Sequence, residues 1–216
     1  RLADSFATGD AIRRGIPVAI IGRPNAGKSS LLNLLIGDNR AIVSDIPGTT
    51  RDTIEDTATI HGYTYRFIDT AGLRRTGDTI ENLGIDRAWE KIAQARIILW
   101  VLSPDTANAQ GTSPDTSESN ALPLDDLYKR LIATMPFDAS LLTIINKTDI
   151  CTQEEADLLS AQLAHLTGNP PIRLSAINDT PDELCDTIHG ITTGTLSETS
   201  DVIVTNSRHY EALHNA

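Results

Sequence analysis

"IIGRPNAGKSSLLNLLIG", residues 20–37, is the stretch whose reading decides the fold. Within it, Gly22-Arg23-Pro24-Asn25-Ala26-Gly27-Lys28-Ser29 matches the pattern G-x-x-x-x-G-K-[ST] without a gap. The match follows a buried-strand pattern, "IPVAII" (16–21), and runs into a helical one, "SSLLNLLIG" (29–37), which Gly37 closes. That order of strand, glycine turn and helix start makes a cradle, because backbone N–H groups and the positive helix end face a phosphate together. Lys28 is placed to neutralise the outer two phosphates and the Ser29 hydroxyl to ligate Mg²⁺. The expected ligand is a nucleoside triphosphate, contacted by Asn25, Ala26, Gly27, Lys28, Ser29 and Ser30.

Working outward, the apolar pattern alternates strand and helix. "TIEDTATI" (53–60) and "YTYRFID" (63–69) flank His61-Gly62, which reads as a tight hairpin. "IDRAWEKIAQA" (85–95) has helical spacing and "RIILWVL" (96–102) is a buried strand. A helix near 124–135, a strand at 141–146, a helix at 152–166, a strand at 171–175 and a helix at 181–190 follow. This alternation predicts an α/β fold with a mostly parallel sheet covered by helices on both faces, and one antiparallel edge from the early hairpin. Residues 103–123, polar and rich in Pro, Ser and Thr, read as a mobile surface insertion. The flanks, 1–15 and 196–216, look helical and have no core of their own. They read as two cut ends of a helical domain into which a nucleotide-binding unit, 16–195, is inserted.

Composition sets limits on partners. The 216 residues carry a net charge of −11, which repels nucleic-acid phosphate and makes this stretch a poor gripper of RNA or DNA unaided. No apolar run reaches the ~18 residues that span a bilayer. The chain opens on Arg1 without a signal-peptide pattern, as expected of a piece of a longer protein. Cys151 and Cys185 lack metal-ligand spacing, which fits idle thiols in a reducing, cytoplasmic compartment.

The base is read further along. "TIINKTD" (143–149) ends a strand in Asn146-Lys147-Thr148-Asp149. A carboxylate at Asp149 accepts from two adjacent N–H donors, a pair that guanine presents and adenine does not. The Lys147 stem lies along the base plane, and Leu174-Ser175-Ala176 fits a backbone contact to the guanine oxygen. Two further loops suit a terminal phosphate and its metal. In "DTAGLRR" (69–75), Asp69 holds Mg²⁺ through water and Gly72 offers its N–H; in "SDIPGTTRD" (44–52), Thr49 and Thr50 approach the nucleotide and Thr50 supplies a second hydroxyl to Mg²⁺. Both loops are expected to order around the triphosphate and relax after its hydrolysis.

The series GRPNAGKS, GTTRD, DTAGLR and NKTD resembles the translation-factor-related P-loop GTPases. Within them, "IENLGIDRAWEKI" (80–92) and "VTNSRHYEAL" (204–213) resemble the MnmE (TrmE) family of tRNA-modification GTPases. The resemblance implies a GTPase domain inserted in a helical domain, acting with the flavoprotein MnmG on the wobble uridine of tRNA. It also implies a homodimer formed through the GTPase domains in the nucleotide-bound state. Folate binding and the tRNA chemistry would reside outside this stretch.

Ras-like enzymes carry a water-orienting glutamine where this chain has Leu73, which can orient nothing. The resemblance points instead to Glu81, acting directly or through a bridging water, with Asp78 and Asp86 as competitors. Asp78-Thr79-Ile80-Glu81 also fits a variant capping box for a helix beginning near residue 80. Charge building between the outer phosphates needs a cation. By resemblance that cation is K⁺, held by Asn25 and by the backbone oxygens of Ser44 and Ile46. Asn25 as a turn former, and Arg74 as an arginine finger in cis, remain open. The rival functions are a ribosome-assembly GTPase of the related class and a scaffold that binds GTP without turnover.

Overall fold

The computed structural model describes residues 15–37, 56–68, 89–107 and 123–198. Its strands are β1 (Ile16–Ile21), β2 (Asp56–Ile60), β3 (Tyr63–Phe67), β4 (Ile97–Leu102), β5 (Ser140–Ile145) and β6 (Ile172–Arg173). Its helices are α1 (Lys28–Gly37), α2 (Pro104–Ala107), α3 (Leu124–Thr134), α4 (Gln153–Thr167) and α5 (Asp182–Glu198). The six strands form one sheet in the order β2-β3-β1-β4-β5-β6. Every pairing is parallel except β2 with β3, the edge hairpin. The hairpin turns through His61 and Gly62, both at positive φ (47° and 85°), the two-residue geometry that suits the twist of paired strands.

β4 shows why both faces must be covered. All six of its residues are buried. Ile97, Leu99 and Val101 join a core with Leu31 and Leu35 of α1 and Leu184 and Ile188 of α5. Ile98, Trp100 and Leu102 join the opposite core with Leu131 of α3 and Leu159 and Leu163 of α4. Strict alternation of a wholly apolar strand leaves no face for water.

Three elements differ from their sequence reading. The stretch expected to be a mobile insertion from 103 begins inside the fold: Ser103 is fully buried and Pro104–Ala107 is a helical turn. Proline at the first helical position, with fixed φ and no N–H to lose, favours that start. Residues 108–122 of the stretch lie outside the described residues. The last strand is only Ile172–Arg173, between Pro171, which has no N–H to give a ladder, and the turn at Ser175. The last helix, expected to end at 190, runs to Glu198 and past the boundary drawn at 195. Gly190, Thr192, Thr193 and Gly194 are poor helix formers, yet packing outweighs propensity. Thr192 is buried, donates its hydroxyl proton to Ile188 O at 3.0 Å and accepts from Tyr65 Oη at 2.9 Å.

Of the helix expected over 85–95, residues 89–92 are helical and the earlier part lies outside the described residues, as does the flank 1–14. Among the described residues no helix is long and apolar enough to cross a membrane.

Candidate functional site

In an open parallel sheet, the strand ends that share one edge are the ones able to gather loops around a ligand. Here the segments after β1, β4, β5 and β6 leave from the same carboxyl edge. They carry, respectively, residues 22–27, Ser103 to Asp105, Asn146 to Asp149, and Ser175-Ala176.

The loop after β1 is shaped by two glycines. Gly22 has φ 152°, and a Cβ there would stand 2.2 Å from the carbonyl oxygen of Val101. Gly27 has φ 88°, and a Cβ there would stand 2.0 Å from Asn146 Nδ2. Asn25 also adopts a positive φ of 60° and is exposed. Ala26 is buried beneath the loop. Lys28, Ser29 and Ser30 open α1, so their backbone N–H groups belong to its first turn. The Lys28 ammonium folds back over the loop and donates to Gly22 O at 2.8 Å and Arg23 O at 2.6 Å.

Asn146 ties three loops together. Its N–H extends the ladder to Leu102 O at 2.8 Å. Its side-chain Nδ2 donates to Ala26 O, and its Oδ1 accepts from Ala176 N–H, both at 2.9 Å. The residue is 1% exposed, so each of these polar atoms needs its partner. Within Leu174-Ser175-Ala176, the stretch expected to offer a backbone contact to a guanine oxygen, the Ala176 N–H is thus engaged by Asn146. Ser175 is buried, its N–H held by Asp179 Oδ2 at 2.6 Å in a tight turn.

Lys147 stands at φ 64°, a left-handed conformation that turns its side chain off the strand line, and its ammonium meets Asp105 Oδ2 at 2.9 Å. Asp149 is exposed. Burial raises the Cys151 thiol above its ordinary value, and the carboxylates of Glu155, Asp149 and Asp105 push it the same way. Carboxylates of Asp105, Asp149 and Glu155 thus gather around the segment after β5.

The structure thus brings together Asn25, Ala26, Gly27, Lys28, Ser29, Ser30, Asn146, Lys147, Asp149, Ser175 and Ala176. Ser44, Ile46, Thr49, Thr50, Asp69, Gly72 and Glu81, with the competitors Arg74, Asp78 and Asp86, lie outside the described residues. Asp105, which meets Lys147 here, was not singled out from the sequence: "SPDT" (103–106) signals a proline-led helical turn with an acid in it, but not that acid's partner.

The described residues suit a nucleotide phosphate. A cradle that a Cβ would fill, a lysine closing it and a hydroxyl on the first turn of α1 fit a nucleotide phosphate with Mg²⁺. Asn25 carries an exposed amide, whose oxygen is a hard neutral donor.

Comparison with known proteins bears on the same residues. The family model described as "50S ribosome-binding GTPase" matches residues 17–147. Over its full length the chain is 42% identical to the tRNA modification GTPase MnmE of Bacteroides thetaiotaomicron and 44% identical to those of Bacteroides fragilis and Porphyromonas gingivalis. It spans 44% of the length of each of those relatives. Among solved structures, Era in complex with MgGDPNP and a fragment of 16S ribosomal RNA superposes with TM-score 0.53 at 26% identity, over 81% of this chain and 56% of that one. The bacterial selenocysteine-specific elongation factor EF-Sec, at TM-score 0.53 and 20% identity over 83% of this chain and 29% of its own, shares the fold.

Proposed function

This chain belongs to the 50S ribosome-binding GTPase family, and from that premise we propose that it is the GTP-hydrolysing switch of an MnmE-type tRNA modification protein. The observation that carries the reading is Asn146, whose one side chain bonds the phosphate loop at Ala26 and the base loop at Ala176. A purely structural strand end has no need to hold a phosphate cradle and a purine-reading loop in fixed relation. Relatives that align over the whole chain bear the MnmE name, so the ribosome-assembly alternative is not favoured. The net charge of −11 argues the same way.

In this reading Lys28 and the first-turn N–H groups of α1 bind the outer phosphates, and Asp149 selects guanine. Mg²⁺ is held by Ser29 and Thr50, and by Asp69 through water; when bound it neutralises charge on the outer phosphate oxygens. K⁺ is held by Asn25 with the backbone oxygens of Ser44 and Ile46. Glu81 orients the attacking water, and Gly72 donates its N–H to the terminal phosphate. GTPase domains pair as a homodimer when nucleotide is bound. The intact protein works in the cytoplasm with MnmG on the wobble uridine of tRNA.

Single-turnover hydrolysis of GTP by the intact protein, run in KCl and in NaCl at equal ionic strength, tests this. Fast cleavage in K⁺ and slow cleavage in Na⁺ is expected. Equal rates would remove K⁺ from the site, and no cleavage in either salt would leave a GTP-binding scaffold. Glu81→Ala should bind GTP and turn over poorly; retained turnover would move the water-orienting role to another residue.

A further inference from the structure

We propose that Asp105 is a positioning residue for the nucleotide base: it holds the Lys147 side chain in its base-covering posture before the nucleotide arrives. The proposal deepens the reading of this edge as a guanine-nucleotide site and rests on it.

The topology makes the contact. β4 and β5 are parallel neighbours in register, Leu102 opposite Ile145. Asp105 lies three residues beyond the first and Lys147 two beyond the second, so both side chains leave the same edge side by side. The short helix α2 fixes where Asp105 sits, starting at a proline and following the fully buried Ser103. At the other end, Lys147 is fixed at its backbone by its left-handed φ and by Asn146 immediately before it. Between these anchors runs a four-carbon stem. A lysine side chain free in solvent gives up rotamer freedom when immobilised, an entropic cost. If Asp105 immobilises it beforehand, the nucleotide does not bear that cost on binding.

The pair is also suited to positioning rather than to bulk stability. Lys147 is 24% exposed and Asp105 50%, so the attraction is partly screened. Such a pair is worth up to about 1 kcal/mol, roughly a two- to fivefold change in a rate or affinity. The described ion-pair partner of Asp105 is the Lys147 ammonium. Asp105 acts through Lys147, and its effect should be the same for diphosphate and triphosphate because the base and ribose are common to both.

The test measures dissociation of N-methylanthraniloyl-GDP and of a fluorescent non-hydrolysable GTP analogue from the intact protein. Asp105→Asn should release both about two- to fivefold faster at low salt, with a smaller difference at high salt. Asp105→Glu should restore most of the loss. In a Lys147→Met background, Asp105→Asn should add nothing, since the group it holds is gone. Unchanged release from Asp105→Asn, or the same loss persisting in the Lys147→Met background, overturns the proposal. A parallel variant, Asp149→Asn, keeps the two readings apart. If it leaves the preference for guanine over xanthine intact, the base-site reading falls and takes this proposal with it. If preference shifts while Asp105→Asn is silent, only the proposal falls.

Discussion

The side-chain amide of Asn146 donates to the carbonyl oxygen of Ala26, 2.9 Å away and 120 residues earlier in the chain. This bond fixes the phosphate loop to the loop after β5. Replacing Asn146 by Ala removes it and strands the buried Ala26 O and the part-buried Ala176 N–H. Each buried polar group left without a partner costs about 1–3 kcal/mol. Asn146→Ala should therefore lower the denaturant midpoint by an amount worth at least the lower figure, and should weaken GDP and GTP alike. Equilibrium unfolding and fluorescent-nucleotide titration measure the two effects. A variant of unchanged stability would mean that the loops are held by other contacts.

The glycines before and at the end of α1 should not be equally tolerant. At Gly22 an added methyl meets the Val101 carbonyl at 2.2 Å, a backbone group of a central strand that cannot retreat, and φ is positive as well. At Gly37, closing α1, a Cβ meets nothing within 4 Å and no positive φ is required. Gly22→Ala should then unfold the protein or abolish nucleotide binding, whereas Gly37→Ala should be neutral or stabilising by up to ~1 kcal/mol from helix propensity. Thermal melts of the two variants side by side decide it. Comparable losses would show that the crowding at Gly22 relaxes easily.

Much of this fold was legible because its signals are local. β1, at 16–21, needed only an apolar run followed by a glycine turn, and the hairpin needed only His61-Gly62 between two alternating segments. The sheet order was inferred as a class and not as a register, since pairings such as Leu102 with Ile145 depend on residues 43 apart in sequence. The end of α5 was misjudged for a related reason. Gly190 and Gly194 speak for a stop, and the buried partner that overrides them, Tyr65, sits 127 residues from Thr192. In the site, residue types at fixed spacing revealed the phosphate and base loops. The grip of Asn146 on both loops and the Asp105–Lys147 pair are contacts between strand ends, which no spacing rule encodes.

Thr192 offers a direct measure of that override. Its single proton goes to Ile188 O, so the Tyr65 phenol is the donor in the bond between them. Thr192→Val keeps the shape and removes the acceptor, leaving a fully buried phenol unpaired at a cost of about 1–3 kcal/mol. Thr192→Ser keeps the acceptor and should recover most of that loss. Hydrogen exchange should show the last turns of α5 opening first in the valine variant. Wild-type protection there would mean that apolar packing alone carries the helix past Gly190.

Cys185 gives a prediction in pH. Its side chain is 6% exposed on the inner face of α5. Burial pushes the thiol up to about 11, with the carboxylates of Asp182 and Asp186 adding in the same direction. In the unfolded chain a cysteine titrates near 8.5. The folded state therefore holds the proton more tightly, and the stability this provides is complete below the unfolded value and lost as pH rises through the folded one. Between about pH 8.5 and 11 the unfolding free energy should fall by up to ~1.4 kcal/mol per pH unit from this group. Lysines and tyrosines titrate in the same range, so the informative comparison is with Cys185→Ala, whose decline across that window should be shallower. The same burial should keep Cys185 unalkylated by iodoacetamide at pH 8 until denaturant is added, while the half-buried Cys151 reacts first. Parallel pH–stability curves for wild type and variant, or equal alkylation of both thiols in the native protein, would place Cys185 in contact with water and α5 looser on the sheet than its packing implies.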